Sequence, residues 1–236
     1  MSRDYYTIEE LTRQLGQNRR AVEKQVSRGH IPGRRVGGEW RFNKTEITNW
    51  LEREIPSLAE TELAVLERSQ QSTEACPSSP VSSLLHPDLV EVPLDCGTRP
   101  SVLKKLVEVA GRTWQLYDSS AVFQAVRDRE NTSSTAFPGG VAIPHPQNRM
   151  PDAVGESLIA FGRTESGIPF GGPRRELTDL FFLVLARDPN THLKVLARLG
   201  RLFQQEGFLE NLRAAGDADD AYRVIIDADR ATPGAQ

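Results

Sequence analysis

Hydrophobic and polar positions alternate in two styles along this chain, and the style changes near its middle. Thr7-Ile8-Glu9-Glu10 reads as a capping box, with Thr7 as N-cap and Glu10 three residues on. Ile8, Leu11 and Leu15 then fall on one helical face. Gly16-Gln17 breaks that helix, and Asn18 can cap a second one carrying Ala21, Val22 and Val26. Gly29 ends it and Ile31-Pro32 forces an extended exit. Two short runs, Arg34-Arg35-Val36 and Glu39-Trp40-Arg41-Phe42, flank Gly37-Gly38 and predict a hairpin. Asn43 to Glu46 starts a third helix with Ile47, Trp50 and Leu51. The predicted order is helix, tight turn, helix, wing, helix.

Residues 55–85 read as a linker between two domains. Pro56 stops the third helix, and Cys76-Pro77-Ser78-Ser79-Pro80-Val81-Ser82-Ser83 is a turn-rich, flexible tract. Between them Leu58, Glu62, Leu63 and Leu66 hint at a short helix, either a frayed spacer or a pairing element for a homodimer. Beyond the linker, helical and extended patterns alternate. Residues 101–110 and 119–130 read as helices, residues 140–143, 156–163 and 179–186 as strands, and residues 192–205 and 207–214 as helices again. Such alternation predicts an α/β sandwich with a mixed sheet over residues 86–230, behind a small module over residues 1–54.

Charge sharpens this division. The 236 residues carry a net charge of −3, which gives no global nucleic-acid signal. Residues 1–54, however, hold eleven Lys/Arg against eight Asp/Glu, and between Arg19 and Arg41 the tally is seven to two. Cys76 and Cys96 lack metal-type spacing and suggest neither a metal site nor a disulfide scaffold. The longest apolar run, Leu180 to Ala186, is too short to span a bilayer, and Met1-Ser2-Arg3-Asp4 starts no signal peptide. A cytoplasmic protein without membrane association, cofactor or metal is the expectation.

The candidate chemistry lies in Gly139-Gly140-Val141-Ala142-Ile143-Pro144-His145-Pro146. It places a histidine just after a short apolar strand, where a neutral imidazole can act as a nucleophile near neutral pH. The alternative is a loop histidine that only caps a turn. Arg129 could neutralise a phosphoryl group or simply pair with Asp128 or Glu130. Ser134 and Thr135 are candidate hydroxyl donors or plain turn residues, and His192 opens an apolar helical run. His30 and His86 read as structural or solvent-facing.

Residues Arg129 to His145 resemble, without a gap, the EIIA domains of the fructose/mannitol type in the bacterial phosphotransferase system, including the nitrogen-regulatory EIIA proteins. A second block agrees in order and spacing: Asp179 to Ala186, then His192-Leu193-Lys194-Val195-Leu196-Ala197-Arg198-Leu199. The resemblance covers about residues 86–230. It implies that His145 accepts a phosphoryl group from an HPr-type phosphocarrier and that His192 helps to orient it. One departure is Ala136-Phe137-Pro138-Gly139, where bulkier residues replace two glycines of the family pattern.

The first 54 residues are similar to the excisionase/MerR-type winged helix-turn-helix, through Tyr6-Thr7-Ile8-Glu9-Glu10-Leu11-Thr12-Arg13-Gln14-Leu15 and the wing Gly38-Glu39-Trp40-Arg41-Phe42. Thr12 and Glu39 depart from the family's usual small and basic residues. The resemblance implies DNA contacts from Arg19, Arg20 and Lys24 on the second helix and from Arg34, Arg35 and Arg41 on the wing. The whole chain then reads as a regulator that couples histidine phosphorylation to DNA binding. The alternatives are a relay protein with a protein-docking N-terminus, or a DNA-binding protein with a degenerate EIIA domain.

Overall fold

The computed structural model describes residues 3–70 and 80–234. Strand β1 (Tyr5–Tyr6) leads into α1 (Ile8–Leu15). The Thr7 hydroxyl accepts from the Glu10 N–H at 3.2 Å, and the Glu10 carboxylate accepts from the Thr7 N–H at 2.8 Å. Gly16 closes this helix at φ 64°, where a side chain would be strained. Asn18 caps α2 (Arg19–Ser27) by accepting from the Ala21 N–H. The wing is β2 (Arg34–Val36) and β3 (Glu39–Asn43), joined through Gly37-Gly38 with both φ angles positive. Strand β1 adds to β3, so the small sheet runs β1-β3-β2. Asn43 caps α3 (Lys44–Glu54), whose Ile47 and Leu51 are buried.

The first half of the expected linker is ordered and docked, which corrects its reading as a flexible spacer. A 3-10 turn at Ile55–Ser57 leads to α4 (Glu60–Ser69), with Leu63 and Leu66 buried. Residues 71–79, including Cys76-Pro77-Ser78-Ser79 of the turn-rich tract, lie outside the described residues, while Val81 is buried and the Ser82 N–H donates to Asp229. The apolar stripe of α4 is covered by a helix of this same chain. The reason is tertiary: a ten-residue helix is marginal alone and is stabilised by packing an apolar face.

The second domain opens with β4 (Leu85–Glu91), α5 (Arg99–Ala110) and α6 (Ser119–Thr132). Four strands follow: β5 (Ala136–Phe137), β6 (Val141–Ala142), β7 (Leu158–Ile168) and β8 (Thr178–Leu185). Helices α7 (Pro189–Phe203), α8 (Phe208–Ala214) and α9 (Ala218–Ala231) complete it. The sheet order is β4-β7-β8-β6-β5, with β4/β7 and β6/β8 parallel and the other pairs antiparallel. This is the expected mixed sheet of an α/β sandwich. Leu180, Phe181, Phe182, Leu183 and Val184 of β8 have no exposed surface, so both faces of the sheet are covered. Each such side chain contributes about 1.5–3 kcal/mol of burial. The alternation reading found neither β4 nor α9, the first because His86-Pro87-Asp88 interrupts its apolar pattern.

Helix α4 joins the two domains by packing on α7. Gly200 makes the approach possible, since a Cβ there would meet Leu63 Cδ1 at 3.1 Å. Glu67, 1% exposed, accepts from Arg198 Nε at 2.9 Å and from Arg201 Nη1 at 2.7 Å. Arg201 also pairs with Glu60 at 2.9 Å, and Arg198 donates to the Thr232 carbonyl. The buried carboxylate and guanidinium groups thus satisfy one another, as burial requires.

Candidate functional site at the domain junction

The site begins at the end of α6. Glu130, buried beneath it, accepts from both the N–H of Thr135 (3.0 Å) and its hydroxyl (2.6 Å). Arg129 donates to the carbonyl and hydroxyl of Ser133. These bonds fold residues 133–135 back against the helix end and aim the chain into β5. Burial pushes the Glu130 carboxyl up, against the opposing bonds from Thr135. Phe137 is buried, packs edge-on against Phe203 at 5.5 Å and lines the cavity beside His145, while Pro138 is exposed. Gly139 and Gly140 then turn at φ 89° and 74°, and Arg213 secures the turn through the Gly139 carbonyl and Asp179.

After β6 the chain delivers His145, 3% exposed. Its Nδ1 lies 2.7 Å from the Ile143 carbonyl, which can only accept, so the proton sits on Nδ1 and the lone pair on Nε2. The His192 ring, from the first turn of α7, stands edge-on at 4.8 Å between centroids. Asp188 caps α7 and places His192 there. The two histidines singled out in the sequence are thus brought together by the fold across 47 residues of chain.

Between the two rings lies a residue that no motif announced. Glu52, from α3 of the N-terminal module, has a side chain only 2% exposed. Its Oε1 accepts from His192 Nε2 at 2.9 Å, and its Oε2 accepts from Arg129 Nη2 at 3.0 Å. The same Oε2 is 3.2 Å from His145 Nε2, which makes no hydrogen bond. Burial pushes the Glu52 carboxyl up, but its contacts with His145 and His192 together outweigh this and hold it well below the carboxylate range. Burial also lowers the pKa of His145, against the pull of Glu52, and so favours the neutral nucleophilic ring. In sequence Glu52 is one acid among several, and its only signal is that Leu51 and Ile55 on either side belong to a buried stripe.

The other expected donors stand near but are engaged. Ser134 donates to the Phe170 carbonyl and Thr135 to Glu130, although both line a 140 Å³ cavity beside His145. A second cleft of 430 Å³ opens between the domains onto Glu52 and His192, with Lys44, Asn49, Arg149 and Arg187 around it. Glu52, His145 and His192 bring three ligand-type atoms within 4.8 Å of one another. In kind they suit a divalent ion, yet Arg129 already neutralises the carboxylate and would repel a second cation.

The six basic residues expected to contact DNA divide. Arg20, Lys24, Arg34 and Arg35 are exposed, with Arg35 stacked 5.2 Å over Trp40 and Arg34 3.4 Å from Glu46. Arg19 is exposed but paired at 2.7 Å with both Glu9 and Glu23. Arg41 lies half-buried over Tyr5 at 4.7 Å and holds the wing to β1. The module docks through α3, so its α2 and wing remain open to solvent.

Comparison with known proteins places both halves. Residues 83–228 match the family "Phosphoenolpyruvate-dependent sugar phosphotransferase system, EIIA 2", and residues 5–54 match a helix-turn-helix domain family. A nitrogen regulatory protein of Bradyrhizobium diazoefficiens is 33% identical over 62% of this chain and 94% of its own length. The fructose-specific EIIABC component of Bacillus subtilis is 28% identical over 64% of this chain, which spans only 24% of that longer protein. Among solved structures, the nitrogen regulatory protein IIA-Ntr of Neisseria meningitidis superposes with a TM-score of 0.56 at 24% identity, over 61% of this chain and 98% of that one. This last likeness is one of fold. Among the described residues, no helix is long and apolar enough to cross a membrane.

Proposed function

The chain belongs to the EIIA 2 family of the phosphoenolpyruvate-dependent sugar phosphotransferase system, and from that membership we propose that it is a DNA-binding regulator controlled by phosphorylation of His145. The observation that carries this reading is the pair of facing histidines, one with its Nε2 lone pair left free by the Nδ1 bond to Ile143. Phosphoryl transfer demands positioning and charge neutralisation more than elaborate covalent machinery. His145 Nε2 is the nucleophile, His192 Nε2–H donates to a phosphoryl oxygen, and Arg129 balances the charge. Glu130, Ser134 and Thr135 hold the loop in shape. An HPr-type phosphocarrier is the donor.

The exposed basic residues of α2 and the wing support duplex DNA as the other ligand. That DNA face is open while α3 is docked, so the unphosphorylated protein is competent to bind. A phosphoryl group adds about −1.5 to −2 charges on the known hydroxyl residues, and a comparable charge on His145 would act directly on the docked α3. The test has two arms. Phosphorylated phosphocarrier should label the wild type and leave His145→Ala unlabelled, while His192→Ala is labelled slowly. Duplex affinity should fall with salt, with log K dropping by roughly 0.9 per log unit of salt for each phosphate neutralised. Full labelling of His145→Ala, or no duplex binding at low salt, rejects the corresponding half.

A further inference from the structure

Every polar contact of Glu52 is one that a phosphoryl group on His145 would need. Its Oε1 takes the His192 donor, its Oε2 takes the Arg129 donor, and the same Oε2 stands 3.2 Å before the His145 lone pair. Phosphorus bonded to Nε2 would have to lie where that carboxylate lies. We propose that Glu52 is a built-in competitor for the phosphoryl group: the DNA-binding module inserts this carboxylate into the phosphoacceptor site, and phosphorylation of His145 expels it. The inference rests on the phosphoacceptor reading above and supplies its regulation.

Three features support competition over a purely structural role for Glu52. The carboxylate is anionic and planar and engages Arg129 and His192 as two phosphoryl oxygens would. The contact with His145 is unsatisfied: the buried Nε2 keeps a lone pair against a carboxylate oxygen and makes no hydrogen bond. A buried polar atom without a partner opposes docking, so expulsion of Glu52 by a group bonded to Nε2 relieves an unfavourable contact. Finally, Glu52 belongs to α3, which begins at the wing and packs on α7, the helix that carries His192. Its expulsion therefore acts on the same element that bears the DNA-binding module.

The transfer balances without further reactants. The Nε2 lone pair forms the new N–P bond as the donor's P–N bond breaks, and the donor nitrogen leaves with that electron pair. The proton on Nδ1 stays on its Ile143 hydrogen bond throughout. Glu52 departs as a carboxylate into the adjoining interdomain cleft, where Lys44, Arg149 and Arg187 provide a cationic lining.

The experiment measures phosphoryl uptake by full-length wild type, Glu52→Ala and Glu52→Gln, using phosphorylated phosphocarrier and, separately, the small donor phosphoramidate. Observed uptake scales with the fraction of molecules whose site is free. Glu52→Ala should therefore be labelled more than about tenfold faster than wild type with either donor, whereas Glu52→Gln, whose amide keeps the volume and can donate to the Nε2 lone pair, should gain much less. The direction is diagnostic, since a folding defect would slow uptake. Equal or slower labelling of Glu52→Ala, beside a wild type that is labelled, overturns the competition while leaving His145 as phosphoacceptor. Absence of label in all three proteins with both donors overturns the phosphoacceptor reading and the competition with it. In wild type, phosphorylation should raise amide hydrogen exchange across α3, and unchanged exchange there overturns expulsion.

Discussion

Two buried carboxylates cross from the N-terminal half of this protein to the EIIA domain, and they meet different chemistry. Glu67 meets Arg198 and Arg201, whose guanidiniums stay charged at any relevant pH and whose fork geometry matches the carboxylate. Glu52 meets Arg129 together with two imidazoles, one of which presents a lone pair. The first set is mutually satisfied and holds α4 on α7 as a fixed mount. The second contains one frustrated contact and can be replaced by another anion. Burial alone does not distinguish them, because both carboxylates are nearly inaccessible. What separates a clamp from a latch is whether the cationic side can lose its charge or accept a better partner.

The comparison can be broken by deleting each carboxylate in turn. Glu67→Ala should cost about 3–5 kcal/mol of stability, because two buried guanidiniums lose the carboxylate they share. Glu52→Ala should cost distinctly less, since Arg129 keeps its Ser133 bonds and His145 Nε2 has no hydrogen bond to lose. Urea unfolding of the two variants decides it, and equal losses would remove the distinction.

A smaller effect concerns pH. The pKa of His145 is lowered in the folded protein, so its contribution to stability is complete above the unfolded value of about 6.5 and drains away as pH falls through the folded value. Glu52, held well below the carboxylate range, stays ionised across that window. Wild type should thus lose more stability between pH 7.5 and 5.5 than His145→Gln, as read from thermal midpoints. Parallel curves would show that the imidazole is not the labile element. The smallest effects belong to the DNA face. Arg20→Gln and Lys24→Gln should each lower the salt slope of duplex binding by about one, whereas Arg19→Gln should change it less because Glu9 and Glu23 already neutralise Arg19.

Much of this was legible in the residues themselves because it is local. Caps such as Thr7 with Glu10 and Asn18, the Gly37-Gly38 hairpin and the alternation of helix and strand depend on neighbours a few positions apart. The two histidines were legible as well, since Gly139 to His145 and the helix start at His192 each carry a compact motif. Ser134 and Thr135 were found in the right loop, but which groups their hydroxyls bond depends on Phe170 and Glu130 across the fold.

The sequence by itself determined the two folded halves, the strand end that presents His145 and the basic face of α2 and the wing, all of which follow from short-range periodicity, capping and turn chemistry. Only the tertiary structure decided that residues 60–69 form a mount and that Glu52 occupies the site. The reason is physical. An acid on a helix is equally compatible with water or with burial, and its state is set by the partners that folding brings within 3 Å. For Glu52 those partners are Arg129 and His192, 77 and 140 residues away in the chain.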